Sequence, residues 1–215
     1  LFYFIGLALL LLSVLDLRGP TQKIKMNIAD QKTIILIDSS ASMLTEDVQP
    51  SRFKKGIMLA RDFVKKAVGH KTSIVIFSDI QKRVVPFTDD LDLLEARLSA
   101  LESTTSLKGS SNLNNAISES LKYFLIDSGK KNVAGNLIII SDFESNDHVK
   151  KTMIPDSIVG SLIGVGTARG GPIPIRSKEG TLRYYKRYNK TNIISSLDEN
   201  KIKEIGSNFK YFYYW

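Results

Sequence analysis

Four short apolar runs constrain this chain more than anything else in it: TIILI at 33–37, TSIVIF at 72–77, GNLIIIS at 135–141, and a stretch within SIVGSLIGVG at 157–166. Each is rich in β-branched residues and too short for a buried helix, so each reads as a strand covered on both faces. Between them lie segments with helical spacing. Ser51 follows Pro50 as an N-cap, and Phe53, Ile57, Ala60, Val64 and Ala67 recur along 52–68 as one apolar helix face. Segments 90–101 and 112–127 read as further helices, and KRVVPF at 82–87 as an edge strand, since Pro86 has no N–H to give a ladder. Strands alternating with helices predict an α/β fold with a mostly parallel central sheet flanked by helices. In the tail, GGPIPIRSKEGTLRYYKRYN predicts a small hairpin, SLDENKIKEIGSN a short helix begun by Ser196, and FKYFYYW a last strand.

A chain of 215 residues with 43% hydrophobic content supports one sizeable core, assigned to a single domain over 32–215. Residues 1–15, LFYFIGLALLLLSVL, carry no charge. As a helix they span roughly 22 Å, short of a hydrocarbon core of about 30 Å, so a membrane helix truncated at its start is expected over 1–17. The rival readings are a buried helix and a signal-peptide core, which calls for a basic start and a small-residue cleavage site; DLRGPTQKIK offers neither clearly. Residues 18–31 form the expected linker, with Gly19-Pro20 stopping the helix.

Cysteine is absent, which excludes disulfides, thiolate catalysis and Cys-based zinc sites. His70 and His148 are the two histidines and stand far apart, as solvated imidazoles do and a shared metal site does not. The net charge of +8 is concentrated late: from Lys150 onward there are 12 basic and 5 acidic residues. RYYKRYNK at 183–190 is the densest basic cluster, matches no nucleic-acid-binding signature, and is read as a solvated hairpin or a face near anionic lipid.

The chemistry lies just past the strands. In an extended chain alternate residues share a side, so Asp38, Ser40 and Ser42 of DSSASM project together beyond the first strand. One carboxylate and two hydroxyls make part of an oxygen cage for a hard cation such as Mg²⁺. Taken alone this is an ordinary serine-rich turn. Two further positions shift the balance: Ser111 in GSSNLNNAI opens the third helix, and Asp142 follows the strand GNLIIIS. Strand carboxyl ends share one crevice in an open parallel sheet, so Asp38 and Asp142 can converge there. Glu46 and Asp47 could reach this loop, but acids ahead of a helix are explained by its dipole. GVGTARGG at 164–171 departs from a dinucleotide fingerprint, with Arg169 in the third glycine position, and reads as a strand-end turn. Phe209 to Trp215 read as core-strand and membrane-proximal aromatics.

These residues resemble the von Willebrand factor type A domain and its metal-ion-dependent adhesion site. The resemblance implies a Rossmann-like fold and a metal set of Asp38, Ser40, Ser42, Ser111 and Asp142, with Mg²⁺ or Mn²⁺ as cofactor. Two positions depart from the family: serine rather than threonine at 111, and Phe143 where a glycine is common, which would narrow the site or join its contact surface. DSSASMLTEDVQPSRFKKGIMLARDFV at 38–64 and GVGTARGGPIPI at 164–175 are similar to the bacterial aerotolerance (Bat) membrane proteins. That implies a membrane-anchored, inner-membrane protein with flanking helices, working with other Bat proteins and a MoxR-type AAA+ ATPase, its domain on the periplasmic side. Arg18, Lys23, Lys25 and Lys32 after the first helix argue for the cytoplasmic side by the positive-inside rule.

The expected function is therefore a non-enzymatic module that binds protein partners through a metal, one coordination position being filled by a partner's acidic side chain; nucleic acid is not expected. Two alternatives stand beside it. A phosphatase-like hydrolase would use Asp38 as nucleophile, but position 40 is serine where a general acid is wanted, and Lys108 is the one cation near these loops in sequence. A structural scaffold would carry a vestigial site.

Overall fold

The first strand, β1 (Lys32–Asp38), occupies the centre of the fold because all seven of its residues are buried. A computed structural model of the chain describes residues 32–67, 69–104, 107–126, 134–144, 154–177 and 179–215. The expected membrane helix, the linker and His148 lie outside these residues. β1 pairs in parallel with β2 (Lys71–Phe77) on one side and β4 (Gly135–Ser141) on the other. β4 continues in parallel to β5 (Ile158–Gly164), and β5 to the last strand, β12 (Phe212–Tyr214). β3 (Gln81–Thr88) closes the far edge, antiparallel to β2, giving the order β12-β5-β4-β1-β2-β3. Pro86 sits on that edge strand, where a missing donor costs no ladder bond to a further neighbour.

The period of two along β1 sorts the core. Ile34 and Leu36 join Val75, Leu137 and Ile139 on one face, and Ile35 and Ile37 join Ile74, Ile138 and Ile140 on the other. Burying each such side chain contributes about 1.5–3 kcal/mol, which is why apolar runs and not alternating ones fill this sheet. The second face is covered by α1 (Arg52–Lys66) through Phe53, Ile57, Ala60 and Val64, and by α2 (Leu91–Glu102) through Leu94 and Leu98. The first face is covered by α3 (Leu113–Ile126) through Ala116, Ile117 and Phe124, and by α4 (Glu199–Gly206) through Ile202 and Ile205. Ser51 caps α1 by accepting from the Lys54 amide, and Lys65 and Lys66 sit at its negative end. Because α1 runs from the carboxyl end of β1 to the amino end of the parallel β2, its C-terminus lies at the sheet edge opposite the strand carboxyl ends.

The tail departs from expectation in one detail. The cap of α4 is Asp198, which accepts from the Lys201 amide, and not Ser196. Leu197 N donates to Thr167 O and Asp198 N to Asp142 O, so the chain stays pinned to the β4 and β5 loops until Asp198 and turns helical only after it. Between β5 and α4 the chain builds small ribbons. β6 (Gly171–Pro172) pairs with β11 (Ile194–Ser195), β7 (Pro174–Arg176) with β8 (Leu182–Tyr185), and β9 (Arg187–Tyr188) with β10 (Thr191–Asn192). Asn189 and Lys190 both have positive φ, 47° and 66°, the two-residue turn whose twist matches antiparallel strands. Among the described residues no helix is long and apolar enough to cross a membrane.

Candidate metal centre

Asp38 is the last residue of β1 and is wholly buried. Its Oδ1 accepts from Ser40 N at 2.8 Å and its Oδ2 from Ser141 Oγ at 2.6 Å. The Ser39 amide and hydroxyl both donate to Phe77 O, which ties the start of the loop to the end of β2. Beyond Ser40 the backbone enters a 3-10 turn, Ala41–Leu44, and the Ser40 and Ser42 hydroxyls meet at 3.0 Å. Asp38, Ser40 and Ser42 thus come together through an aspartate-anchored turn, not through the extended alternation expected from the sequence. A strand would have carried Ser42 away along its axis.

Ser111 arrives on the loop that precedes α3. Asp79, after β2, accepts from the Ser110 amide and hydroxyl at 2.8 Å each, and Asn112 N donates to Ser78 O. Ala41 N donates to Gly109 O at 3.3 Å, joining this loop to the first. Gly109 has φ +91°, and a Cβ there would lie 2.3 Å from Asp79 Oδ2, so glycine is required for this close approach.

Asp142 stands just past β4, also fully buried. Its Oδ1 accepts from Glu144 N at 3.1 Å, and its Oδ2 from Arg52 Nη1 at 2.9 Å. Arg52 is the largest fully buried polar side chain here and serves three elements at once. Nε and Nη2 form a bidentate pair with Asp47 at 2.8 and 2.9 Å, Nη1 reaches Ser195 Oγ at 2.8 Å, and Nη2 reaches Ser195 O at 2.8 Å. Ser195 Oγ donates in turn to Glu144. Asp47 Oδ2 also accepts from the Thr167 amide and hydroxyl. Gly166, beside it, lacks the Cβ that would fall 2.9 Å from Arg52 Nε.

Three carboxylates, those of Asp47, Asp142 and Glu144, therefore share one guanidinium, and Asp38 lies close enough to Asp142 to feel its charge. Burial pushes Asp38 up to about 6, and the negative charge of Asp142 adds to the shift. Burial likewise raises Asp142, with a Ser42 hydrogen bond and the Arg52 charge pulling it back. Glu144 is raised mainly by burial. Burial opposes ionisation of Asp47 too, but its hydrogen bonds from Arg52 and Thr167 hold it below the usual range. Asp142 thus adds to the cost of ionising Asp38, and Arg52 offsets part of the charge of Asp142.

Ser40, Ser42, Ser110 and Ser111 line a cavity of about 240 Å³ together with Glu144, Ile173, Lys186 and Ile193. The serine hydroxyls that line it also contact the two buried aspartates, Ser40 at Asp38 and Ser42 at Asp142. Such a set, oxygen-only, with two buried carboxylates repelling each other and serine hydroxyls lining the cavity, fits a hard divalent cation such as Mg²⁺ or Mn²⁺. Of the five residues named from the sequence, Ser40, Ser42 and Ser111 line this crevice, while Asp38 and Asp142 lie buried behind Ser40 and Ser42.

Three sequence expectations change here. Cations do reach these loops: Arg52 from α1 and Lys186 from the tail, neither adjacent to them in sequence. Asp47 does more than face a helix dipole, since it fixes Arg52, while Glu46 pairs with Arg176 at the surface. Phe143 does not join a contact surface; with φ +56° and 1% exposure it turns into the core beneath α3 and α4. A positive φ there explains why glycine suits the position, and burial of the ring offsets a strain of about 1–2 kcal/mol. Arg52 and Ser141 were missed. A signal for Arg52 existed: a cation in the first turn of a helix opposes the dipole and calls for a local reason.

With this geometry in place, residues 33–144 match the von Willebrand factor type A domain, and the chain belongs to that family. More particularly, it is similar to BatB from Bacteroides thetaiotaomicron, with 28% identity and a TM-score of 0.74 over 86% of this chain and 88% of that one. It is also similar to an aerotolerance-related membrane protein from Bacteroides fragilis, with 27% identity and a TM-score of 0.72 over 86% of this chain and 90% of that one. Manganese-loaded TRAP protein from Plasmodium vivax shares the fold at 14% identity and a TM-score of 0.54, over 65% of this chain and 59% of that one. No curated protein matches the chain.

Proposed function

We propose that this chain belongs to a Bat-type inner-membrane protein, anchored through residues 1–17, and that its domain over 32–215 binds protein partners through a divalent cation. Asp38, Ser40, Ser42, Ser111 and Asp142 would hold Mg²⁺ or Mn²⁺. When bound, the ion supplies an electrophilic centre that a partner's carboxylate completes. The observation that carries this reading is the pair of buried aspartates, both raised by burial, beneath hydroxyls that open on the cavity. Two neighbouring buried carboxylates, one of them paired with Arg52, are a costly arrangement unless a further positive charge joins them.

The same geometry argues against a hydrolase. Both oxygens of Asp38 are engaged, by Ser40 N and Ser141 Oγ, and the side chain has no exposed surface from which to attack a phosphate. Asp38 holds; it does not react. Similarity to an aerotolerance-related membrane protein supports a membrane setting; anchoring through residues 1–17, a periplasmic domain, and a role beside other Bat proteins and a MoxR-type ATPase belong to the same proposal. Calorimetric titration with Mn²⁺ tests the metal: the chain is expected to bind one ion, and Asp38→Ala and Asp142→Ala to lose it while keeping far-UV circular dichroism. No heat of binding in the unaltered, folded chain overturns the reading and leaves a scaffold with a vestigial site.

A further inference from the structure

The proposed metal reading leaves unspecified what kind of partner surface brings its carboxylate to the cavity. The tail answers through placement. Residues 180–197 contain four basic residues, Arg183, Lys186, Arg187 and Lys190, and no acid. All four are exposed, and Arg183, Lys186 and Lys190 form no ion pair with a described residue. This segment is not a free flap. Lys186 N donates to Ile173 O at 2.8 Å and Ile193 N to Lys186 O at 2.9 Å, so the foot of the β9–β10 hairpin is bonded into the cavity wall that Ile173, Lys186 and Ile193 form. Ser195, at its far end, is held by Arg52 and by Glu144, tying the segment to the aspartates themselves. Tyr184 and Tyr188 stand on the ribbon at 57% and 73% exposure, and Ile194 at 55%, an aromatic and apolar surface beside the charges.

We infer that the ribbon 182–194 is the specificity surface of the metal site and selects an acidic segment of a partner protein. One carboxylate of that segment enters the cavity toward the serine hydroxyls, and its neighbouring acids pair with Lys186, Arg187 and Arg183. Charge complementarity favours this occupant: an uncharged partner would leave a row of like charges beside the cavity uncompensated, and repulsion rejects a basic one. The cavity of about 240 Å³ is larger than a single carboxylate fills, so a segment and not an isolated acid suits it. Exposed tyrosines fit such a contact, since they bury large area with little entropy loss. Continuity of the ribbon with the cavity places the acidic segment here and not on a lipid surface.

This inference rests on the metal reading, and one set of measurements separates the two. The full chain is titrated in Mn²⁺ with a fluorescein-labelled Glu-Gly repeat peptide and with its Gln-Gly counterpart, alongside phosphatidylglycerol vesicles. The expected result is Mn²⁺-dependent binding of the Glu-Gly peptide alone. The double substitution Arg183→Glu with Arg187→Glu, at exposed ribbon positions outside the cavity lining, should weaken it by about tenfold or more while leaving Mn²⁺ affinity intact. Lys65→Glu with Lys66→Glu, an equal charge change at the opposite edge of the sheet, should leave peptide binding unchanged. Equal loss in both double variants reduces the effect to net charge and overturns the assignment. Unaltered peptide binding in the ribbon variant overturns it while the metal site survives. Ribbon-dependent binding of vesicles without peptide binding makes it a membrane-facing surface instead. Failure of the unaltered chain to bind Mn²⁺ removes the metal reading and this inference with it.

Discussion

Arg52 Nη1 donates to Asp142 Oδ2 at 2.9 Å with both side chains wholly out of solvent, across 90 residues of sequence. The same guanidinium grips Asp47 and Ser195, so a single side chain ties the first helix, the end of β4 and the β6–β11 ribbon together. Removing it strands buried charge. Arg52→Met is expected to cost about 3–5 kcal/mol, and Arg52→Lys most of that, since an ammonium cannot make the bidentate contact. Urea unfolding of the two variants measures both numbers.

Stability of the metal-free chain should fall as pH rises through the range where Asp38 titrates. Its carboxyl moves from 3.8 to about 6 on folding, so between those values the folded state holds a proton that the unfolded chain releases. Asp142 and Glu144, also raised, act with the same sign. Asp47, lowered, acts oppositely: its contribution is present above 3.8 and lost as pH falls below that value. Thermal melts should therefore show the midpoint rising as pH drops from about 7 to about 5, less steeply in Asp38→Asn. Bound Mn²⁺ should reverse the trend, because it competes with the same protons.

Asp79 is exposed, yet it anchors the loop that carries Ser111. Asp79→Ala should leave the thermal midpoint nearly unchanged and weaken Mn²⁺ binding by about threefold to tenfold, through loss of loop positioning alone. Calorimetry alongside a melt distinguishes this from unfolding.

Gly166 has φ +146°, and its missing Cβ leaves room for Arg52. Gly166→Ala should destabilise by about 1–3 kcal/mol through both strain and displacement of the guanidinium. Combined with Arg52→Met the cost should be far from additive, because the two changes strike one contact; a double-mutant cycle in urea reads the coupling.

The strands and helices were legible because their signals are local. Runs such as TIILI and GNLIIIS state their own burial, and the spacing of Phe53, Ile57, Ala60 and Val64 states a helix face. The fold class follows from their alternation, and the edge position of β3 from Pro86. The cap of α4 was misplaced by two residues because the bonds that delay the helix, Leu197 to Thr167 and Asp198 to Asp142, come from loops about 30 and 56 residues earlier. Local propensity does not register them.

The candidate site divides in the same way. Asp38, Ser40, Ser42, Ser111 and Asp142 could be named from the sequence because each follows a strand or opens a helix, where topology gathers side chains at one edge. What surrounds them could not. Arg52 looks like an ordinary first-turn residue until Asp142 and Ser195 are set beside it, and Lys186 looks like part of a solvated basic run until the ribbon folds back onto the cavity. Periodicity and strand-end chemistry, which act over a few residues, determined the sheet, its helices and which carboxylates and hydroxyls gather past the strand ends. Charge compensation and the makeup of the rim depend on distances between segments far apart in the chain, and the tertiary structure alone decides those.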